Sequence, residues 1–329
     1  MKPGSKSPIL WPLAGLAALV LLNAIHDPGF LKITLLDGHL YGVPVDIFNQ
    51  GSRTMLVALG MTLVIATGGV DLSVGSVVAI AGAVCAMLLQ GGHGLVTTLA
   101  AAVGAGLLAG SANGLLVARF GVQPIVATLI LMVAGRGVAQ LIVDGQIVII
   151  KSPAFEYVAN GFLLGLPFAP LLVAALYLVT HLTLRRTALG LFIEAVGDNE
   201  TASRFAGLAA ARIKAFAYIF CGGCAGLAGV LAASNIRAAD AYRAGENMEL
   251  DAIFAVVVGG TALVGGRFVI LGTAIGALLI QTLTTTMYNL GVPPAISPVP
   301  KALLIIGVSL LQSEKVGRWL GGLWQREKA

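Results

Sequence analysis

Residues 54–89 read TMLVALGMTLVIATGGVDLSVGSVVAIAGAVCAMLL, two apolar runs joined by the segment TGGVDLSVGS at Thr67–Ser76. Two full membrane crossings need roughly 20 residues each plus a turn. The stretch holds only 36 positions. The junction is therefore expected at or inside the membrane boundary, where non-helical backbone is tolerated against protein or a water-filled cavity. It also carries Asp71, and an ionisable residue at such a break marks a pathway more often than a structural accident.

The rest of the chain agrees with a membrane reading. Hydrophobic residues make up 57% and charged residues 11%, with a mean hydropathy of +0.93, where soluble domains carry about 25% charged residues. The 43 glycines are spread through the apolar segments, as expected where helices pack through small side chains. A net charge of +5 is not a nucleic-acid signature here, because the basic residues sit in short loops without a basic aromatic patch. Nucleic acid is excluded as a partner, and membrane lipid takes its place.

Apolar runs fall near residues 9–25, 54–70, 74–89, 95–118, 124–143, 167–184, 213–233, 250–265, 268–290 and 299–312. They predict an all-α fold: one polytopic membrane domain over 1–329 of about ten transmembrane helices, with a broken-helix region near residues 67–76. The first run follows Lys2 and Lys6 but ends in His26-Asp27-Pro28, so it reads as a retained helix and not a cleaved signal. Lys and Arg collect in alternate loops, which places both termini in the cytoplasm. Ten helices satisfy that arrangement.

The segment Thr67–Ser76 also resembles Val258–Arg267, VGGTALVGGR. Gly68, Gly69, Leu72 and Gly75 match Gly259, Gly260, Leu263 and Gly266. Transporters are commonly built from such repeats with the path between them, and chance in a glycine-rich chain is the alternative. In the predicted topology both copies run in the same direction.

The longest inner loop, about 185–214, mixes charges with small residues. Asn199 is placed to cap a short helix carrying Glu200, Arg204 and Phe205 and ending near Gly207. Such an element either docks a soluble partner or is a solvated connector. Asp71 can cap the following half-helix or face a pathway or gate with Thr67 and Ser73. Arg136 and Gln140 lie i and i+4 on one face of a span, where a charge is costly unless it faces the interior or snorkels. Asn113, Gln281 and Asn289 add amides suited either to sugar hydroxyls or to interhelical hydrogen bonds. No catalytic residue and no metal site emerges: the pattern around Ser73 lacks a glycine of the nucleophile elbow, and Cys221 and Cys224 lack further ligands. There is no Gly-x-x-x-x-Gly-Lys loop and not one Gly-Lys pair, so the chain cannot cradle ATP by that mechanism.

TLVIATGGVDLSVGS closely resembles the ribose-type permeases, the membrane subunits of ATP-binding-cassette sugar importers. The segments LLDGHLYGVPVDIFNQ, PIVATLILMVAGRGVAQLI, DGQIV and FIEAVG are most similar to permeases of bacterial galactofuranose importers. The resemblance implies an importer bundle in the bacterial inner membrane that moves a monosaccharide, galactofuranose by the nearer likeness, from periplasm to cytoplasm. It implies a second permease subunit, a cytoplasmic ATPase with two fused cassettes that binds the ATP and Mg, and a periplasmic sugar-binding protein. It assigns ATPase contact to the loop carrying Glu194, Gly197, Asn199, Ala202, Arg204 and Gly207. An ion-coupled sugar carrier with Asp71 as its ion site and an intramembrane enzyme are the rival readings; a permease for ribose or another sugar is the nearer alternative.

Overall fold

The structure is a computed structural model that describes residues 9–312 apart from 294, 295 and 297. Thirteen helices account for most of it: α1 Leu10–His26, α2 Val43–Ala66, α3 Val74–Gln90, α4 Leu95–Gly114, α5 Pro124–Ile142, α6 Pro153–Asn160, α7 Phe168–Arg186, α8 Ala188–Asp198, α9 Glu200–Phe205, α10 Ala210–Ile236, α11 Met248–Val258, α12 Ile270–Asn289 and α13 Pro298–Gln312. A π-helical segment, Leu115–Arg119, prolongs α4. Among the described residues, five helices are long and apolar enough to cross a membrane: α4 with its extension, α5, α7, α10 and α12. The apolar α1 and α3 have 17 residues each, about 25 Å of helix.

Each of the ten apolar runs lies on a helix, but several boundaries move. Helix α2 begins at Val43, with Asp46, Asn49, Gln50 and Arg53 in its first three turns. A polar front of this kind is invisible to a search for hydrocarbon. With 24 residues, α2 does not suffer the shortage that the apolar run suggested. The break narrows to Thr67–Ser73, since Val74, Gly75 and Ser76 are already helical. Helix α11 stops at Val258, well short of the predicted 265.

Helix α10 is the most buried of the five long helices and forms the axis of the bundle. Its small residues explain why. A Cβ on Gly106 of α4 would overlap the Gly222 carbonyl of α10, one on Gly110 the Tyr218 carbonyl, and Gly114 abuts Ala215. This glycine ridge at i, i+4 and i+8 lets two antiparallel backbones touch. Gly60 of α2 packs on Cys221 and Cys224 in the same way, which gives the two cysteines a packing role. Polar cross-links add to this: Thr62 and Thr273 hydroxyls lie 2.9 Å apart between α2 and α12, and Asn23 Nδ2 of α1 donates to Thr286 Oγ1 at 2.7 Å.

The contacts sort the helix ends into two faces. One face gathers the α7–α10 connection, the end of α2 and the Gly259–Gly266 turn. The opposite face carries three short antiparallel ladders: β1 Thr34–Leu36 with β2 His39–Tyr41, β3 Val148–Ile149 with β6 Ala238–Ala239, and β4 Phe162–Leu163 with β5 Leu166–Pro167. These ladders and α6 leave no apolar-run signal, and the sequence reading missed them.

Candidate functional site

Helix α2 ends in a glycine cap. Gly68 sits at φ +79°, its N–H bonding Ile65 O at 2.8 Å while the Gly69 N–H bonds Val64 O at 3.1 Å. This is the Schellman arrangement, which needs a residue free of Cβ strain at the left-handed position. Helix α11 ends identically: Gly260 at φ +89° donates to Val257 O at 2.9 Å, and Thr261 to Val256 O at 3.2 Å. The two caps thus correspond one residue away from the match seen in the sequence. In each, a side chain beyond the cap then accepts the N–H of the residue preceding the next helix: Asp71 from Ser73 at 3.0 Å, and Thr261 from Val269 at 3.0 Å. Both units descend on one helix and return on another, in the same sense. The Gly266 N–H donates to Ala66 O at 3.0 Å and ties them together.

Beyond Gly68 the chain turns back into the bundle. Gly69 lies against the Tyr218 ring, and Tyr218 is eight residues inside α10, about 12 Å along its axis. Asp71, at 1% exposure, accepts on one oxygen, Oδ1, from the Ser73 amide, from Ser73 Oγ at 2.6 Å and from Asn113 Nδ2 at 3.2 Å. Asn113 Nδ2 also lies 2.9 Å from Ser73 Oγ. Ser76 Oγ bonds Ser73 O at 2.8 Å and Leu131 O of α5 at 3.2 Å. Thr67 stays outside this knot, its hydroxyl bonded to Val64 O at 2.8 Å. Two buried atoms at the knot have no hydrogen-bond partner among the described residues, Asn113 Oδ1 and Tyr218 OH. Low-dielectric surroundings make such a cluster sensitive to the loss of any member. Sequence reasoning missed Ser76 and Tyr218; the i+3 spacing of Ser73 and Ser76 was the available signal.

A second segment, 240–247, re-enters from the opposite face before α11. Arg136 Nη1 of α5 donates to Ala244 O at 2.5 Å and Ala241 O at 3.1 Å within it. The guanidinium on this span is therefore held by carbonyls, with no ion pair among the described residues. A Cβ on Gly75, in the first turn of α3, would overlap the Gly245 carbonyl. The two breaks thus meet across the start of α3, one through Asp71 and Ser73, the other through Gly75.

The remaining predicted polar positions lie apart from the knot. Gln140 lines a cleft with Gln146, Asp240 and Arg243. Gln281 lines a different cavity of about 380 Å³ with Gln50, Arg53, Asn247, Asp251 and Lys301. Asn289 is exposed at the end of α12. Asp251 belongs to the first turn of α11, where its carboxylate takes Lys301 Nζ at 2.8 and 2.9 Å. A lone lysine in an otherwise apolar run was the clue to that pair.

At the other face, α8 and α9 form an amphipathic platform. Asn199 Oδ1 accepts the Ala202 N–H at 2.9 Å, an N-cap contributing about 0.5–2 kcal/mol. Ser203 Oγ bonds Ala195 O at 2.8 Å and fastens α9 to α8. Glu200 is clamped by Arg204 at 2.5 Å and by Lys214. Burial raises the Glu200 carboxyl, but Lys214 and Arg204 prevail and hold it below the usual carboxylate range. Outward face Leu191, Ala202, Arg204, Phe205 and Gly207, with Phe205 90% exposed; Glu194 is half-buried. Inward, a Cβ on Gly197 would overlap Ala66 O, and Gly265 and Gly266 lie on the same spot. The platform therefore rests at once on the end of α2 and on the turn that joins α11 to α12. The sequence analysis predicted α9 but treated 188–198 as loop; its buried Gly190, Ile193 and Val196 at helical spacing were the missed signal.

A bundle whose backbone breaks from both faces toward a buried polar centre has the build of a membrane transport subunit. Residues 43–309 match the family described as branched-chain amino acid transport system / permease component, and the chain belongs to that family. It is 47% identical over 324 residues to the galactofuranose transporter permease protein YtfT of Escherichia coli K12, covering 97% of this chain and 95% of that one. It is 36% identical to the fructose import permease protein FruF of Bifidobacterium longum, over 94% and 89% of the two chains. The ribose import permease protein RbsC of E. coli K12 is also 36% identical, over 92% and 93%. No solved structure matches the chain.

Proposed function

We propose that this chain is one of two permease subunits of an ATP-driven sugar importer of the bacterial inner membrane, and that its sugar is galactofuranose. The observation that carries the transport reading is the seating of the α8–α9 platform on the end of α2 and the α11–α12 turn through Gly197. A partner ATPase pulling on Glu194, Asn199, Ala202, Arg204 and Gly207 would move that helix end and that turn together. Through Asp71, Ser73 and Gly75 that displacement reaches the 240–247 turn and Arg136 on the far face, a contiguous chain of packed elements. Similarity to the galactofuranose permease over nearly the whole chain supports the choice of sugar. In this reading the polypeptide is a single permease domain of ten spans with both termini cytoplasmic, and ATP and Mg bind to the ATPase. Thr67, Asp71, Ser73, Asn113, Arg136, Gln140, Gln281 and Asn289 line or gate the path, which passes between the two permease subunits.

The test is reconstitution in proteoliposomes with the second permease, the double-cassette ATPase and a periplasmic binding protein. Galactofuranose should accumulate only with ATP and all partners present, and the purified chain alone should not hydrolyse ATP. Uptake driven by an ion gradient without the ATPase would overturn the reading in favour of a secondary carrier. A further expectation concerns the platform: replacing Glu194 and Arg204 together by alanine should leave membrane insertion intact while hydrolysis continues without uptake. Arg204 is exposed and its pair with Glu200 is worth about 0–1 kcal/mol, so folding is not at stake. Unchanged uptake in the double variant would remove these residues from the coupling surface.

A further inference from the structure

A further cavity opens beside the α8–α9 platform. It occupies about 600 Å³ between the end of α4 and the start of α10, on the platform face of the bundle. Its walls are Ser111, Leu115, Ala118 and Ala215, and its rim carries Arg119, Arg204 and Arg212. Glu200 already neutralises Arg204. Arg119 and Arg212 are exposed and have no ion pair or side-chain hydrogen bond among the described residues. No acidic residue lines the cavity.

The helix itself is altered here. Gly114 still touches Ala215, but from Leu115 onward α4 loosens to π-helical bonding, with the Phe120 N–H reaching Leu115 O at 3.2 Å. A π segment is an uncommon departure, found mostly at functional places. This one ends at Arg119, which lines the groove. From Arg119 the groove climbs to Ser111, eight residues or about 12 Å up the helix, beside Leu108 and Leu115, which are 73% and 52% exposed. Two unpaired guanidiniums above an apolar groove running along a span match a phosphate joined to hydrocarbon. Basic pockets between spans on the cytoplasmic side are suited to anionic head groups.

We propose that this groove binds an anionic phospholipid of the inner leaflet, the phosphate held between Arg119 and Arg212 and an acyl chain lying along Leu115 toward Ser111. Occupancy would fix the start of α10, and with it the Lys214 end of the clamp on the platform. Membrane composition would thereby reach the coupling surface.

The test uses the purified full chain in detergent, with added phosphatidylglycerol, phosphatidylcholine or free glycerol phosphate, read by thermal shift and by lipid retained in native mass spectrometry. Phosphatidylglycerol should raise Tm and be retained. The R119Q/R212Q variant should bind it about tenfold more weakly or worse, as expected for losing two surface cations, while R119K/R212K should keep most of the effect. Ala118→Phe, which fills the groove without touching charge, should also abolish retention. Equal stabilisation by phosphatidylcholine, or by glycerol phosphate alone, would overturn the proposal. So would full lipid retention in R119Q/R212Q accompanied by lost assembly with the ATPase or second permease, which would assign the arginines to a protein partner.

Discussion

Replacing Gly197 by alanine is expected to abolish ATP-driven uptake in the assembled importer. The added methyl would overlap Ala66 O and crowd the Gly266 amide, the two atoms whose 3.0 Å hydrogen bond joins the end of α2 to the α11–α12 turn. Neither is the far end of a flexible side chain, so backbone must move. Overpacking of this kind costs typically about 1–3 kcal/mol. Here the displacement falls on the contact that would carry force from the platform to the breaks. Gly207→Ala is the comparison: Gly207 has φ +86° but nothing within 4 Å of a hypothetical Cβ, so its cost is conformational, roughly 1–2 kcal/mol. That variant should retain part of its uptake. Measured at matched protein levels, Gly197→Ala should continue to support partner hydrolysis with no sugar accumulation. Wild-type uptake in Gly197→Ala would mean that the platform does not work through the helix ends.

The contrast between these two glycines shows what the sequence made legible. Gly207 was readable as a helix stop because its signal is local: a cap residue, a short amphipathic run, then glycine. The break at Thr67–Ser73 was readable for the same reason, since polar and glycine residues interrupt hydrocarbon. The role of Gly197 was not, because it depends on Ala66 and Gly266, far away in the chain. The same limit hid the meeting of Gly75 with Gly245 and the grip of Arg136 on the 240–247 carbonyls. A composition window fails differently. It found the apolar part of α2 and lost its polar beginning, and it ran α11 through Thr261 to Gly265 because a glycine cap is as apolar as the helix it ends. The repeat was visible at an offset that aligns letters, whereas the caps align one residue over. Sequence identity followed the glycine pairs; geometry followed the residue that must take positive φ.

Asp71→Asn is expected to preserve much of the uptake and Asp71→Ala to lose nearly all of it. One carboxylate oxygen, Oδ1, accepts from the Ser73 amide, the Ser73 hydroxyl and Asn113 Nδ2, and an asparagine can offer its carbonyl in the same place. Alanine removes that acceptor entirely. The Ser73 and Asn113 side chains still have each other at 2.9 Å, but the amide of the buried Ser73 loses its acceptor. An orphaned buried donor costs about 1–3 kcal/mol, and the hole left by the carboxylate adds to it. Asn113 Oδ1 and Tyr218 OH have no hydrogen-bond partner among the described residues. The start of α3 should then slip from Asn113, and its contact with the 240–247 turn through Gly75 should slip with it. The measurement is ATP-driven uptake in membranes containing all partners, with ion gradients dissipated and protein levels matched. An ion-coupled carrier predicts the opposite order of importance, charge before acceptor, and would lose Asn and Ala variants alike. Equal and complete loss in both variants, with the protein still present and folded, would show that the negative charge itself is required and that an acceptor oxygen at position 71 is not enough.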